Sequence, residues 1–182
     1  MSYNDGRLVL RPQDVVLLLK KITSSGLMMN GKQLAESLGI STAEVSHSLE
    51  RCRTARLIDD SKTKVNVLAL RDFISVGVKY CFPAQPGADV RGIPTASSSS
   101  PIKDVLSSNG REYVWKDPDG TVIGQTIVPL YRNAVFAAKN DPEMHVLLAI
   151  VDSFRIGRAR EIHAAYAEFE KYLSKYAESQ QQ

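Results

Sequence analysis

The chain of 182 residues is poor in the residues that build covalent or metal-held scaffolds: two cysteines, Cys52 and Cys81, three histidines and a single tryptophan. The cysteines form neither a C-x-x-C pair nor a dense pattern, which excludes a disulfide-stapled secreted scaffold and a structural zinc finger. No apolar run approaches the roughly 18 residues of a membrane-crossing helix. The opening residues Met1 to Asp5 lack the basic, then apolar, then small-residue order of a secretory leader. These absences predict a cytoplasmic protein with reduced thiols and no membrane contact. A phosphate loop, a G-x-S-x-G elbow and a dinucleotide fingerprint are also missing, so the expectation is a protein that is not an enzyme and uses no cofactor. His145, Asp152 and His163 share roughly one helical face, but their spacings separate them by about 10 and 16 Å along a helix axis, too far for one metal ion.

What is present is an ordinary globular composition, 43% apolar and 24% charged, with an uneven distribution of charge. Residues 1–80 carry 12 Lys and Arg against 8 Asp and Glu, a net of +4, whereas residues 81–182 carry 11 against 12, a net of −1. A basic first half permits nucleic-acid contact without requiring it.

Helical periodicity opens the chain. Val15, Val16, Leu18, Leu19 and Ile22 recur on one face after Pro12, and Gly26 ends the segment. Asn30 and Gln33 read as the capping box of a second helix with Leu34, Ala35 and Leu38 inward. Gly39-Ile40 makes a corner, and Ser41 with Glu44 reads as the capping box of a third helix that buries Val45, Leu49 and Cys52. The polar run Asp59 to Lys64 between Leu57-Ile58 and Val65-Val67 predicts a small β-hairpin with a charged tip. Leu70, Phe73, Ile74 and Val78 return to helical spacing and close a first domain, 1–80.

Residues 81–110 hold four of the eight prolines and the run Ser97 to Ser100, and they predict a connecting segment anchored by Phe82, Val90 and Ile93. In the third unit, 111–182, Tyr113 to Lys116, the turn Asp117-Pro118-Asp119-Gly120, and Thr121 to Ile123 predict a second hairpin. A short helix follows around Asn133 to Lys139. Asp141-Pro142-Glu143 then starts a helix that would span about 50 Å if unbroken to Tyr176, with Gly157 as a break or a close crossing.

Residues 31–58, with Leu34-Ala35, Gly39-Ile40-Ser41, Val45-Ser46, Leu49 and the closing Arg56-Leu57-Ile58, resemble the winged helix-turn-helix of bacterial transcription regulators of the MarR-like kind. The resemblance covers about residues 12–68. It implies an α+β protein, an N-terminal winged helix-turn-helix followed by a β-hairpin and a long C-terminal helix region. It also implies that the third helix enters the major groove of double-stranded DNA. Base-edge contacts then fall to Thr42, Ser46 and His47, with Ser41, Ala43 and Glu50 on the same face. Lys32, Gln33 and Arg51 face phosphates, and Lys62 and Lys64 form the wing. Arg56 departs from the pattern, since such helices often end on glycine, and a left-handed turn there would strain it.

The second half carries two further expectations. Ile162, Tyr166, Phe169, Leu173 and Tyr176 recur at heptad-like spacing and predict a dimerisation seam. Arg155, Arg158 and Arg160 form a basic patch for an anionic effector or an acidic partner. Together these readings predict a dimeric repressor, since no separate segment for contacting polymerase is visible. The alternative is a protein-interaction module, such as an antitoxin-like partner that binds another protein through its C-terminal half and regulates its own promoter.

Overall fold

The computed structural model describes residues 9–106 and 110–181. The opening residues read above for a leader, and residues 107–109 of the expected connecting segment, lie outside that range. The chain is α+β, and among the described residues no helix is long and apolar enough to cross a membrane.

Three helices open it: α1 (Pro12–Ile22), α2 (Gly31–Leu38) and α3 (Thr42–Thr54). Asn30 and Gln33 cap α2 reciprocally, Asn30 Oδ1 accepting from the Gln33 N–H at 3.0 Å and Gln33 Oε1 from the Asn30 N–H at 2.9 Å. At α3 only half of the expected box forms. Ser41 Oγ accepts from the Glu44 N–H at 3.1 Å, while the Glu44 carboxylate turns away to Arg51. The expected wing hairpin is reduced to a turn with one antiparallel bridge, Ile58 to Val65. Its six-residue loop is too short on apolar side chains to extend the ladder, and Asp59 closes it instead by accepting from the Thr63 and Lys64 N–H groups. A helical stretch follows at 67–81, comprising α4 (Val67–Asp72), a π-helical turn (Phe73–Gly77) and α5 (Val78–Cys81).

The segment expected as a connector holds β1 (Asp89–Pro94), a 3-10 turn (Ala96–Ser98) and α6 (Ile102–Val105). β2 (Tyr113–Lys116) and β3 (Val122–Thr126) do not pair as the expected hairpin. Each lies antiparallel to β1, they run parallel to one another, and the three strands close into a small barrel. Gly92 explains why. It is the β1 residue opposite both Lys116 and Val122, where one neighbour hands over to the other. A Cβ on Gly92 would lie 2.0 Å from the Trp115 carbonyl oxygen, and one on Gly120 would lie 2.2 Å from the Gly92 carbonyl carbon. Only two glycines let the backbones approach so closely.

Helices α7 (Ala134–Asn140), α8 (Pro142–Ile156) and α9 (Ala159–Ser179) complete the chain. The long helix breaks at Gly157, whose extended backbone (ψ 155°) ends α8 before α9 restarts. Asp141 caps α8, accepting from the Glu143 N–H at 2.9 Å, with Pro142 in the first turn as expected. Residues 147–154 of α8 are all buried, so this helix is covered on every side.

One hydrophobic cluster includes Leu17 and Leu18 of α1, Ile74, Leu147 and Ile150 of α8, and Phe169 of α9, so the core crosses the boundary expected near residue 80. Polar contacts cross it as well: Lys20 Nζ meets Asp141 at 2.5 Å and Tyr176 Oη accepts from the Val65 N–H at 2.9 Å. The dimerisation seam is therefore corrected. Phe169, Leu173 and Tyr176 are buried in the chain's own core, Ile162 packs against it, and Tyr166 alone of the five is exposed.

Replacing Gly92 by Ala forces the barrel open and is expected to cost about 1–3 kcal/mol or more in urea denaturation. Gly31→Ala, where a Cβ meets nothing within 4 Å, is the control and stays within about 0.5 kcal/mol of the parent.

Candidate nucleic-acid interface

Gly39 makes the corner between α2 and α3 in the left-handed conformation, φ +62°. Leu34, Ala35 and Leu38 face the core on one side of it and Val45 on the other, which turns the opposite face of α3 to solvent. That face presents Thr42, Ala43, Ser46 and His47, all exposed, with Ser41 at its start and Lys32 and Gln33 exposed on α2. The short polar groups differ in what they offer. Ser46 Oγ donates back to the Thr42 carbonyl at 3.2 Å, leaving its lone pairs outward. Ser41 Oγ is occupied as an acceptor and keeps its proton to give, and Gln33 keeps both amide protons.

Arg51 was expected toward phosphates, and here the structure requires a correction. Its guanidinium is buried, grips Asp14 of α1 with Nε at 2.8 Å and a terminal nitrogen at 2.7 Å, and reaches Glu44 at 2.5 Å and Ser48 Oγ at 2.9 Å. The hydrogen bonds that it donates to Asp14 raise its pKa further, so it stays charged. Asp14 is fully buried, and a carboxylate there needs a fixed cation. Arg51 thus sets the angle of α3 against α1. Burial pushes up the neighbouring Cys52 thiol to about 12, which leaves it inert packing.

Glu50 is neutralised. Arg53 approaches it at 2.5 Å and Lys62 at 2.7 Å, and hydrogen bonds from these two hold its carboxyl down to about 2. Lys62 therefore ties the 59–64 turn to α3, while Lys64 stays exposed. Both Arg56 (φ +59°), before the turn, and Lys62 (φ +62°), within it, are strained left-handed non-glycine residues.

Sequence reasoning missed what backs the corner. Asn133, just before α7, donates from Nδ2 to the Gly39 carbonyl at 2.6 Å, and Phe136 lies beside Gly39. The neighbouring Arg132 is exposed, its guanidinium 5.9 Å from the Tyr131 ring centre.

Among the basic-patch residues, Arg155 is also corrected. Its side chain is 4% exposed, pairs with Asp152 at 2.7 Å, and donates to the carbonyls of Phe82 at 2.8 Å and Val128 at 3.1 Å. Asp152 further accepts from Trp115 Nε1 at 2.7 Å and Thr95 Oγ1 at 2.8 Å, pinning the barrel to α8. Burial pushes the Asp152 carboxyl up, against the opposing charge of Arg155 and the three donated hydrogen bonds. Arg158 and Arg160 remain exposed on α9. His145 stacks near Trp115, and its Nε2 lies 2.8 Å from the Pro94 carbonyl and 3.4 Å from Ser99 Oγ. A carbonyl can only accept, so Nε2 carries the proton and is no base for Ser99. Among the described residues, no group of three His, Cys, Asp or Glu could hold a metal ion.

Arg51→Met strands a buried Asp14 and is expected to cost about 3–5 kcal/mol in urea denaturation, much of it recovered in the Asp14→Asn/Arg51→Met double variant. Acid acts on a related set. For both Glu44 and Asp141, burial alone would raise the carboxyl, but hydrogen bonds to Arg51 and Gln13, and to Lys20 and Ser25, outweigh it and hold each below its ordinary value. A depressed folded pKa gives stability that is complete above the ordinary values of 4.5 and 3.8 and is lost as pH falls through the lower folded ones. The contribution of these two carboxylates to the urea midpoint is therefore expected to be constant above about pH 5 and to fall below pH 3.8. No protein-family model, curated protein or solved structure matches this chain.

Proposed function

We propose that residues 12–68 act as a winged helix-turn-helix and that the protein is a sequence-specific DNA-binding transcriptional regulator, a repressor of the promoter it occupies. The observation that carries this reading is the outward face of α3. It presents the short side chains of Thr42, Ser46 and His47 beside the exposed Lys32 and Lys64, while the one acid near its middle, Glu50, is paired with Arg53 and Lys62. Short polar groups suit base edges, and flanking cations suit phosphates.

A second reading, a protein-interaction module, is favoured by the large apolar side chains on the outer side of the 67–81 helix. Leu68 is 62% exposed, Val76 61% and Tyr80 74%. Such a surface suits a second protein, whether another copy of the chain or a protein that this chain, as an antitoxin-like partner, would bind, here through the 67–81 helix rather than the C-terminal half.

Fluorescence binding to a fragment from upstream of its own gene, against a scrambled fragment at two salt concentrations, separates the two. On the DNA reading, Ser46→Ala/His47→Ala removes about 1–3 kcal/mol of preference for the specific fragment. Lys64→Ala weakens binding to both fragments and lowers the salt slope by about 1. If no fragment is preferred while Leu68→Ser/Tyr80→Ser abolishes a complex seen by light scattering, the interaction reading replaces it.

A further inference from the structure

A cleft of about 1340 Å³ opens between the first three turns of α9, the α6 helix and the start of β2. We propose that this cleft is a binding site for a small organic anion with an apolar body. The site stands whether or not α3 reads DNA.

Its floor is one face of α9. Arg160, Ala164, Ala167 and Lys171 follow at spacings of four, three and four, so they line up over about 16 Å of helix. The two alanines give the groove its depth, and Val105 and Leu106 supply an apolar wall opposite. The charges at the two ends are not equivalent. Lys171 is taken by Glu168 at 2.5 Å, and Lys103 by Glu112 at 2.6 Å. Glu161 accepts from the Arg158 N–H at 2.7 Å and from Ser97 Oγ at 3.2 Å. Arg158, Arg160 and Arg111, by contrast, have no ion-pair partner among the described residues, and all three line the cleft. A guanidinium is a fork of donors with no acceptor, and unpaired forks lining a groove select a carboxylate, sulfonate or phosphate.

Glu112, also in the lining, is turned to Lys103 through Oε1. The volume exceeds that of a bare inorganic ion and fits a drug-sized molecule. Head at Arg158 and Arg160 and body over Ala164 and Ala167 is the orientation that these groups define.

The test uses 1-anilinonaphthalene-8-sulfonate, which carries a sulfonate on an aromatic body, and N-phenyl-1-naphthylamine, the same body without the charge. The folded protein is expected to bind one equivalent of the anion saturably, read by fluorescence. Arg158→Ala/Arg160→Ala is expected to weaken the anion about tenfold or more while leaving the neutral probe within about twofold. Ala167→Trp, which fills the groove from an exposed position, is expected to weaken both probes. Circular dichroism confirms that the variants fold. Non-saturable binding by the parent protein, equal affinity across the three proteins, or weakening by the arginine pair without any effect of Ala167→Trp overturns the proposal.

Discussion

Helix α8 is stable in water only if all of its sides are covered, because its run 147–154 is buried throughout. The rest of the architecture follows from that demand. α1 and the 67–81 helix cover it from the N-terminal part, α7 and α9 from the C-terminal part, and the 3-10 turn after β1 from the barrel. No smaller unit of the chain buries this helix, so the basic N-terminal helices and the mildly acidic second half share one core. The polar contacts at its two ends make the shared core specific. Lys20 and Ser25 meet Asp141 at the N-terminus, and Asp152 gathers Trp115, Thr95 and Arg155 near the other end.

The same economy governs the charges of α3. Arg51 turns inward to grip Asp14 and Glu44, and Glu50 is held sideways by Arg53 and Lys62. A helix whose acids are satisfied in this way carries little fixed negative potential on its outer face. That condition matters more for the proposed contact with DNA than the small net charge of the chain, since repulsion from phosphates would act locally.

Local chemistry was legible in the sequence and long-range pairing was not. Gly39, the Asn30–Gln33 box and the Asp141-Pro142 start were readable because each is decided by residues within one turn. Arg51 was misread because its partner Asp14 lies 37 residues away, and a surface arginine and a buried one look alike in sequence. The seam on α9 was correctly apolar, but periodicity says that a face is covered and not by what. The hairpin at 113–123 failed for a comparable reason. Its turn residues permit a reversal, whereas Gly92, far earlier in the chain, supplies the strand that both halves prefer as a neighbour. Of the candidate site, the exposed face of α3 was legible from its spacing. The cleft on α9 was only hinted at by Arg158 and Arg160, because its other walls come from α6 and β2.

The hydrogen bond from the Val65 N–H to Tyr176 Oη joins residues 111 positions apart. On a ribosome α1 to α3 are made long before that hydroxyl exists. Until residue 176 has cleared the exit tunnel, the Val65 N–H lacks this partner, and the 59–64 turn is held only by Asp59 and by the Lys62–Glu50 pair. The last contact beside the proposed DNA face thus arrives with α9 rather than with its own residues.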